Sequence, residues 1–424
     1  MSSLVNQAQT KSKFLLQQAA SLLLYQSVLE NKIGQAWLEL LHTLYQRDTN
    51  CLQAYGIWFK AIAQSNQSWQ DFLIGRILCD RNPFSVQGQT VSIEELPPAL
   101  VAAAKQDLQA LHYLYFCDSQ ELSQWVKAIS EVNIQPVAWE LGTTRTTCLH
   151  QQSDWQSVLP HLLREYKING TGILCEYQAL SWQQGKLVGI AHPDPIELEE
   201  IVGYESQKSA LVKNTEFLMA GYRALHVLLY GSRGSGKSSL VKGLLNKYSH
   251  QGLRLVEVSK AQLQDLPMIV EQLRNVPQKF IIFVDDLSFE EDDEAFKALK
   301  VVLEGSVTAR AQNVVVYATS NRRHLVREFF AERPRPSDAD EIQAWDTVQE
   351  KLSFSDRFGL TLTFEPANQD TYLQIVHHLA TMAQIDLAQE DLEFQAKQWA
   401  TRHNGRSGRT ARQFIDFLQG ELSC

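Results

Sequence analysis

The hydrophobic positions follow a helical period in the first part of the chain and a different pattern in the second. Before about residue 165, apolar residues recur every three or four positions, as in Trp37, Leu40 and Leu44, which predicts amphipathic helices. From about residue 226, short apolar runs rich in β-branched residues alternate with helical patterns. This alternation predicts a parallel sheet that is covered by helices on both faces. After residue 367 the helical period returns.

Five of the apolar runs are predicted to form a five-stranded parallel sheet. A short hairpin is expected before them, with strands within Gly172–Leu180 and Lys186–Ala191 around a glycine-containing turn. The stretch His192–Pro195 follows the hairpin, and its two prolines favour extended backbone at a domain boundary. The five predicted strands are His226–Tyr230, Leu253–Val258, Phe280–Asp285, Val314–Thr319 and Leu360–Phe364.

These patterns divide the 424 residues into four segments. A mainly helical domain is predicted over 1–167, the hairpin and a linker over 168–196, an α/β domain over 197–366 and a helical lid over 367–424. The length agrees with two or three domains of ordinary size. Seven of the nine tryptophans precede residue 197. Core packing explains them better than a binding surface, because tryptophan is mostly buried in folded proteins.

The clearest chemical motif is a glycine-rich loop that follows the first strand of the predicted sheet. Its sequence fits the pattern GxxxxGK[ST] in full and lies directly between an apolar strand and a helix. The backbone N–H groups of such a loop and the positive end of the following helix bind phosphate groups. Lys237 is expected to reach the β- and γ-phosphates of a nucleotide, and Ser238 to bind Mg²⁺. The candidate nucleotide-binding residues of this loop are Gly231, Ser232, Arg233, Gly234, Ser235, Gly236, Lys237, Ser238 and Ser239.

Two carboxylates end the third predicted strand. Asp285 would lie at the carboxyl edge of the sheet beside the glycine-rich loop, where it is a candidate partner of Mg²⁺. Asp286 stands where many such ATPases carry the glutamate that polarises the attacking water, and its side chain is shorter. Glu290 or Glu291 is an alternative base. We favour a simpler interpretation of those two residues, as part of an acidic first turn of the next helix.

With this loop, the acidic strand and the helical tail, the C-terminal part of the chain resembles the AAA+ ATPase superfamily. Asn321, at the end of a predicted strand, resembles the sensor-1 residue that helps to place the attacking water. Residues 351–359 are similar to the arginine-finger segment of the Holliday-junction branch-migration motor and of replication initiators. This likeness implies that Arg357 reaches the nucleotide of a neighbouring subunit. Arg412, or as a second choice Arg409, resembles the sensor-2 arginine of the lid.

The resemblance also extends to adenine binding and to assembly. The strip Ile201–Tyr204 resembles the segment that contacts adenine in this superfamily, with Gly203 and Tyr204 as candidate contacts. The role of Arg357 implies a homo-oligomer. An internal salt bridge is the alternative for Arg357, although an exposed pair of this kind contributes only about 0–1 kcal/mol.

Longer strings narrow the resemblance to one family. Gly231–Ser239 and Glu350–Leu360 are similar to a bacterial family of AAA+-type ATP-binding proteins that is catalogued only as a domain of unknown function. The pair Asp285-Asp286 is characteristic of that family. The resemblance covers about residues 197–420 and implies ATP and Mg²⁺ as cofactors. It implies no particular substrate or client.

Charge and composition restrict the partners and the location. The net charge is −9, which ranks a protein client above nucleic acid, because nucleic-acid-binding proteins are usually basic. None of the six cysteines forms a CxxC pair, so reduced thiols are expected rather than a zinc site or disulfides. Met1–Lys13 lacks the apolar core of a signal peptide, and no apolar run approaches the ~20 residues of a membrane helix. We therefore expect a cytoplasmic protein without a membrane partner.

Three functions are open from the sequence alone. The first is an ATP-hydrolysing protein that remodels a macromolecular client, with residues 1–167 recognising a protein. The second is an ATP-dependent switch or adaptor with negligible hydrolysis, which the unusual Asp286 motivates. The third is a DNA-associated, loader-like ATPase, against which stand the acidic charge and the absence of a helix-turn-helix or zinc module. It rests on the arginine-finger resemblance and on Arg322, Arg323, Arg402, Arg406 and Arg409.

Overall fold

The computed structural model describes residues 2–142, 147–288, 294–304, 310–321, 357–403 and 405–423. The chain divides into two compact units, Met1–Glu176 and Tyr177–Cys424. Four residues that the sequence singles out, Glu290, Glu291, Arg322 and Arg323, lie outside the described residues.

The described part of the first unit is helical. Trp37, Trp58, Trp125 and Trp155 are almost completely buried there, and the ring of Trp37 stacks on that of Trp69 with centroids 4.5 Å apart. The tryptophans of this unit therefore build its core. Its α-helices are α1 (Ser2–Ala20), α2 (Lys32–Gln46), α3 (Cys51–Ser65), α4 (Trp69–Cys79), α5 (Pro83–Gln87), α6 (Pro98–Tyr115), α7 (Ser119–Ser130), α8 (Cys148–Gln151), α9 (Leu159–Asn169) and α10 (Ile173–Glu176).

A disulfide bond joins Cys79 and Cys175 in the first unit. The expectation of reduced thiols is therefore wrong for these two residues. They are 96 positions apart in the sequence, and the ends of α4 and α10 bring their Cα atoms to 5.2 Å, a spacing that suits a disulfide. Cys51, Cys117 and Cys148 are free, and burial raises the pKa of the Cys51 thiol to about 11.

Breaking the Cys79–Cys175 bond is expected to lower the free energy of unfolding of the first unit by about 2–4 kcal/mol, because a long closed loop restricts the unfolded chain. Denaturant unfolding of the full chain, followed by tryptophan fluorescence with and without a reducing agent, measures this change. A Cys79→Ser variant is the control, since its unfolding should not respond to the reductant. Identical curves for the oxidised and reduced wild type would contradict the prediction.

The second unit contains a seven-stranded sheet with the strand order β2-β1-β4-β5-β6-β3-β7. Neighbouring strands in this order are parallel, except for β1 and β2, which are antiparallel. Strands β5 and β6 are buried along almost their whole length, as expected for a sheet covered on both faces. The strands are β1 (Ala179–Gln183), β2 (Lys186–Ile190), β3 (Val227–Gly231), β4 (Leu253–Glu257), β5 (Lys279–Val284), β6 (Val314–Ser320) and β7 (Leu360–Phe364).

The sheet corrects the predicted count of five strands. The hairpin is part of the sheet, because β1 pairs in parallel with β4 and so extends the edge of the sheet by two strands. The first strand of the hairpin also begins later than predicted, since residues 173–176 form a short helix. Trp182 in β1 is buried and donates a hydrogen bond from its indole N–H to Asp265 of the second unit, at 2.8 Å. The α/β class and the five central strands agree with the sequence prediction.

Helices cover the sheet and follow it. Helices α11 (Glu205–Met219), α12 (Lys237–Tyr248), α13 (Leu266–Arg274) and α14 (Glu294–Glu304) connect the strands. After β7, the helices α15 (Gln369–Met382), α16 (Gln389–Arg402) and α17 (Gly408–Ser423) pack around a separate apolar core. We call these three helices the C-terminal bundle. Among the described residues, no helix has both the length and the apolar character that a membrane span requires.

Candidate functional site

The candidate site lies where three neighbouring strands end. Strand β6 lies between β3 and β5, so the carboxyl ends of all three meet at one edge of the sheet. Strand β3 runs into the glycine-rich loop, β5 into Asp285 and Asp286, and β6 into Asn321. Ligands of open α/β sheets bind at this edge. The fold therefore gathers the loop, the two carboxylates and the amide that the sequence singles out.

The glycine-rich loop has backbone angles that favour glycine. Gly231, Gly234 and Gly236 have positive φ angles of 138°, 73° and 84°. At Gly231 a side chain would also collide with the next strand, because a Cβ atom there would lie 2.0 Å from the carbonyl oxygen of Phe364. Gly236 then precedes the first residue of α12. The loop thus turns directly into a helix N-terminus, which is a site for anions.

Lys237 places its ammonium group inside this loop. The residue is 7% exposed, and Nζ donates hydrogen bonds to the carbonyl oxygens of Gly231 at 3.1 Å and Ser232 at 2.7 Å. Burial lowers the pKa of the Lys237 ammonium, and the nearby Asp285 and Asp286 partly oppose this shift. A bound anion would favour the charged form of Lys237 further, because opposite charges stabilise each other in a partly buried site.

Asp285 and Ser238 form an oxygen pair beside the loop. The hydroxyl of Ser238 donates to Oδ1 of Asp285 at 2.7 Å. Thr319 in β6, which is 2% exposed, donates its hydroxyl hydrogen to the same carboxylate oxygen. Thr319 also accepts a hydrogen bond from the backbone N–H of Asp286 at 2.9 Å. The carboxylate is therefore oriented from two sides, and hydroxyl and carboxylate oxygens are ligands that Mg²⁺ accepts.

Asp286 and Asn321 contact each other next to that pair. The side-chain amide of Asn321 donates to Oδ1 of Asp286 at 2.7 Å. Asp286 has a φ of 52°, in the left-handed region, which asparagine and aspartate adopt several times more readily than other side chains. This backbone conformation therefore suits an aspartate at position 286 better than a glutamate.

These groups share one cavity of about 920 Å³. Most of the predicted site residues line it, which are Tyr204, Arg233, Gly234, Ser235, Gly236, Lys237, Ser238, Ser239, Asp285, Asp286, Asn321 and Arg412. The structure does not bring the others to its wall. Gly231 and Ser232 begin the loop, and their carbonyl groups accept from Lys237. Gly203 packs against the methyl group of Thr371 instead, where a Cβ atom would come within 2.7 Å.

The strip before the loop supplies the apolar wall of the cavity. Ile201, Val202 and Tyr204 line it together with Ile375 and Leu379 of α15. The hydroxyl of Tyr204 donates to the carbonyl oxygen of Glu365 at 2.8 Å, so its ring is held in place.

Of the three candidate arginines, two line the cavity and the third does not. Arg409 and Arg412 both line the cavity, and the backbone N–H of Arg409 donates to the carbonyl oxygen of Gly234 at 3.2 Å. Arg412 forms an ion pair with Glu200. Arg357 does not belong to the cavity wall and pairs with Glu304, with 18% of its side chain exposed.

Comparisons with known proteins place the second unit in a family. A family described as protein of unknown function (DUF815) matches residues 175–422, which is more than half of the chain. The chain belongs to this family. The membership that the sequence predicts, in a family of unknown function with a P-loop, is thus confirmed. No curated protein matches the chain.

Solved structures of Thermotoga maritima RuvB are also similar to this DUF815 protein, with low sequence identities and low TM-scores. Two mutants are 15% and 16% identical with TM-scores of 0.32 and 0.33, and the protein described as a Holliday junction branch migration motor is 14% identical with a TM-score of 0.31. Each match covers 53% of this chain and 72% or 73% of the RuvB chain.

Sequence reasoning missed several residues of the DUF815 site. Thr319 was predicted only as the last residue of a strand, yet it orients Asp285. A polar residue that ends a buried strand beside an acidic one was the available signal. Glu200 and Asp194 bring carboxylates to the cavity wall, and nothing in the sequence marks them, because their position depends on how the strip 194–200 folds onto α12.

Proposed function

We propose that this DUF815 protein binds ATP with Mg²⁺ in the cavity at the end of β3 and hydrolyses it. One observation carries the proposal. The buried ammonium group of Lys237 and the oxygen pair of Ser238 and Asp285 face one cavity at a helix N-terminus. A cation, a metal-binding oxygen pair and backbone N–H groups around one site are the combination that a nucleoside triphosphate requires.

The residues present fit both Mg²⁺ and ATP. Ser238 and Asp285 would hold the ion, and a bound Mg²⁺ would neutralise charge on the transferred phosphate group. Lys237 would bind the β- and γ-phosphates. The apolar side chains of Ile201, Val202 and Ile375 line the part of the cavity that would receive adenine.

Asp286 and Asn321 would act on the attacking water. The carboxylate of Asp286 is the candidate general base, and the amide of Asn321 holds its Oδ1 at 2.7 Å. The second carboxylate oxygen can then accept a proton from water. A base in this position typically contributes a factor of about 10²–10⁴ to the rate.

We further propose that ATP hydrolysis is coupled to a macromolecular client in a homo-oligomer. Arg357 supports the oligomer, because it lies away from the cavity of its own chain and an arginine supplied by a neighbour is a common device in such ATPases. The helical first unit would recognise the client. The net charge of −9 favours a protein over nucleic acid in this role.

A switch that binds ATP without hydrolysing it is the alternative, and the short side chain of Asp286 favours it. Asp286→Asn separates the two functions. Asparagine tolerates the left-handed backbone and removes the base, so turnover should fall at least about 100-fold while ATP affinity is retained. Phosphate release and binding of a fluorescent ATP analogue measure the two effects.

The wild type and a second variant complete this test. If the protein hydrolyses ATP, the wild type should show measurable Mg²⁺-dependent turnover. Turnover should not rise in Asp286→Glu, because glutamate is strained at the positive φ angle. If the protein is a switch, turnover should be negligible in the wild type and should rise strongly in Asp286→Glu. The second pattern would overturn hydrolysis as the function and leave ATP binding intact.

A further inference from the structure

A short strip of chain before the glycine-rich loop contacts two separate cores of the second unit. Leu198 belongs to the core that the sheet shares with its helices, and Ile201 packs against that core. Val202 packs against the core of the C-terminal bundle, and Gly203 lies against Thr371 of α15. Residues 198–203 are therefore one of the connections between the sheet and the bundle.

Polar contacts tie the same strip to the bundle. The Glu200 carboxylate accepts a hydrogen bond from the backbone N–H of Glu197 at 3.1 Å through Oε1. Its other oxygen, Oε2, lies 2.5 Å from Nη2 of Arg412 in α17. The carbonyl oxygen of Glu199 lies 2.8 Å from Nε2 of His378 in α15. The Glu200 side chain is thus bound to the strip through Glu197 and to the bundle through Arg412.

The carboxylate of Glu200 lies in an unusual place for a negative charge. Glu200 and Arg412 both line the same cavity as Lys237, and the Glu200 side chain is only 17% exposed. A carboxylate in the wall of a cavity for a triphosphate repels the ligand, because like charges in a partly buried site are poorly screened. At the same time it occupies a guanidinium group that phosphate would otherwise bind.

We propose that Glu200 competes with the phosphates of the bound nucleotide for Arg412, so that binding of ATP breaks this one tie between the strip 198–203 and the C-terminal bundle. This inference rests on the proposed ATP site. It makes Glu200 a positioning residue, which sets where the Arg412 guanidinium lies before the nucleotide arrives. The ion pair weakens ATP binding and links nucleotide occupancy to the position of the bundle.

The variant Glu200→Gln tests the competition. Glutamine keeps the oxygen that accepts from Glu197 and loses the charge. We expect its Kd for MgATP to fall about fivefold, since a partly exposed pair of this kind contributes about 1 kcal/mol. The Kd for adenosine, which has no phosphate, should stay the same. Glu199→Gln is the matched control, because Glu199 is the adjacent acid, is exposed and is not part of the cavity wall.

A measurement without nucleotide tests the contact itself. Hydrogen exchange of the backbone amides in α17 should speed up in both Glu200→Gln and Arg412→Gln, and the double variant should exchange no faster than either single one. Unchanged exchange in Glu200→Gln would overturn the tie between strip and bundle. This readout does not depend on ATP.

The outcomes separate this inference from the proposed function. A wild type that binds no ATP would overturn the ATP site and the competition together. A wild type that binds ATP, with equal or weaker binding in Glu200→Gln, would overturn the competition alone. Weaker binding would mean that Glu200 holds Arg412 in place for the phosphate, which is the opposite of what we propose.

Discussion

Replacing Lys237 with alanine is expected to weaken ATP binding at least about 30-fold and to remove hydrolysis. Lys237 is 7% exposed and lines the cavity. Truncating one partner of a buried charge pair typically costs about 2–5 kcal/mol, which corresponds to a factor of about 30 or more in affinity. Binding of a fluorescent ATP analogue and phosphate release measure the two losses. Wild-type affinity in Lys237→Ala would contradict the proposed site.

The fold should survive this change, which makes the prediction specific. Burial lowers the pKa of Lys237, so its charge contributes little to the stability of the fold, and the variant should remain folded. The matched control is Lys247→Ala in the last turn of the same helix, where Nζ lies over the ring of Tyr248. That variant removes the same charge and should bind ATP like the wild type.

The sequence predicts the central strands because each is encoded locally. The ends of the five predicted strands lie within one residue of β3, β4, β5, β6 and β7. Continuous apolar runs with β-branched residues specify a buried parallel strand without reference to its neighbours. The glycine-rich loop is equally local, because its glycines and Lys237 are adjacent in sequence. Residues that act through local geometry could therefore be named in advance.

The features that the sequence does not reveal depend on contacts between distant residues. Cys79 and Cys175 are 96 positions apart, and their spacing follows no cysteine motif. Glu200 and Arg412 are 212 positions apart, and although the sequence singles out Arg412, nothing in it points to Glu200 as the partner of Arg412. The hairpin strand β1 joins the sheet only because β4 offers it a free edge. Periodicity and motif spacing carry no information about such pairs.

Loss of Arg357 is expected to reduce ATP hydrolysis about 10³-fold and to leave ATP affinity unchanged. Arg357 lies outside the cavity wall of its own chain, so it should not contribute to binding there. An arginine that reaches the nucleotide of a neighbour stabilises charge in the transition state and contributes about 10³–10⁵ to the rate. Arg357→Ala, assayed for ATP binding and phosphate release, checks both statements. Weakened binding would argue for a role within one chain.

The ion pair with Glu304 supplies a control for the structural alternative. If Arg357 acts only as the partner of Glu304, then Glu304→Gln should impair hydrolysis as much as Arg357→Ala does. If Arg357 acts on a neighbour, Glu304→Gln should keep most of the activity, because the guanidinium group remains. A partly exposed pair contributes about 0–1 kcal/mol to stability, so neither variant should unfold the chain.

Mixing two inactive variants decides between action within a chain and action between chains. Lys237→Ala subunits lack a working nucleotide site but keep Arg357. Arg357→Ala subunits keep the nucleotide site but lack the arginine. In a ring with head-to-tail contacts, an equal mixture should recover about one quarter of the wild-type rate, since half of the sites bind ATP and half of those face an intact arginine. A mixture as inactive as its components would place Arg357 in its own chain. It would then remove the strongest argument for an oligomer.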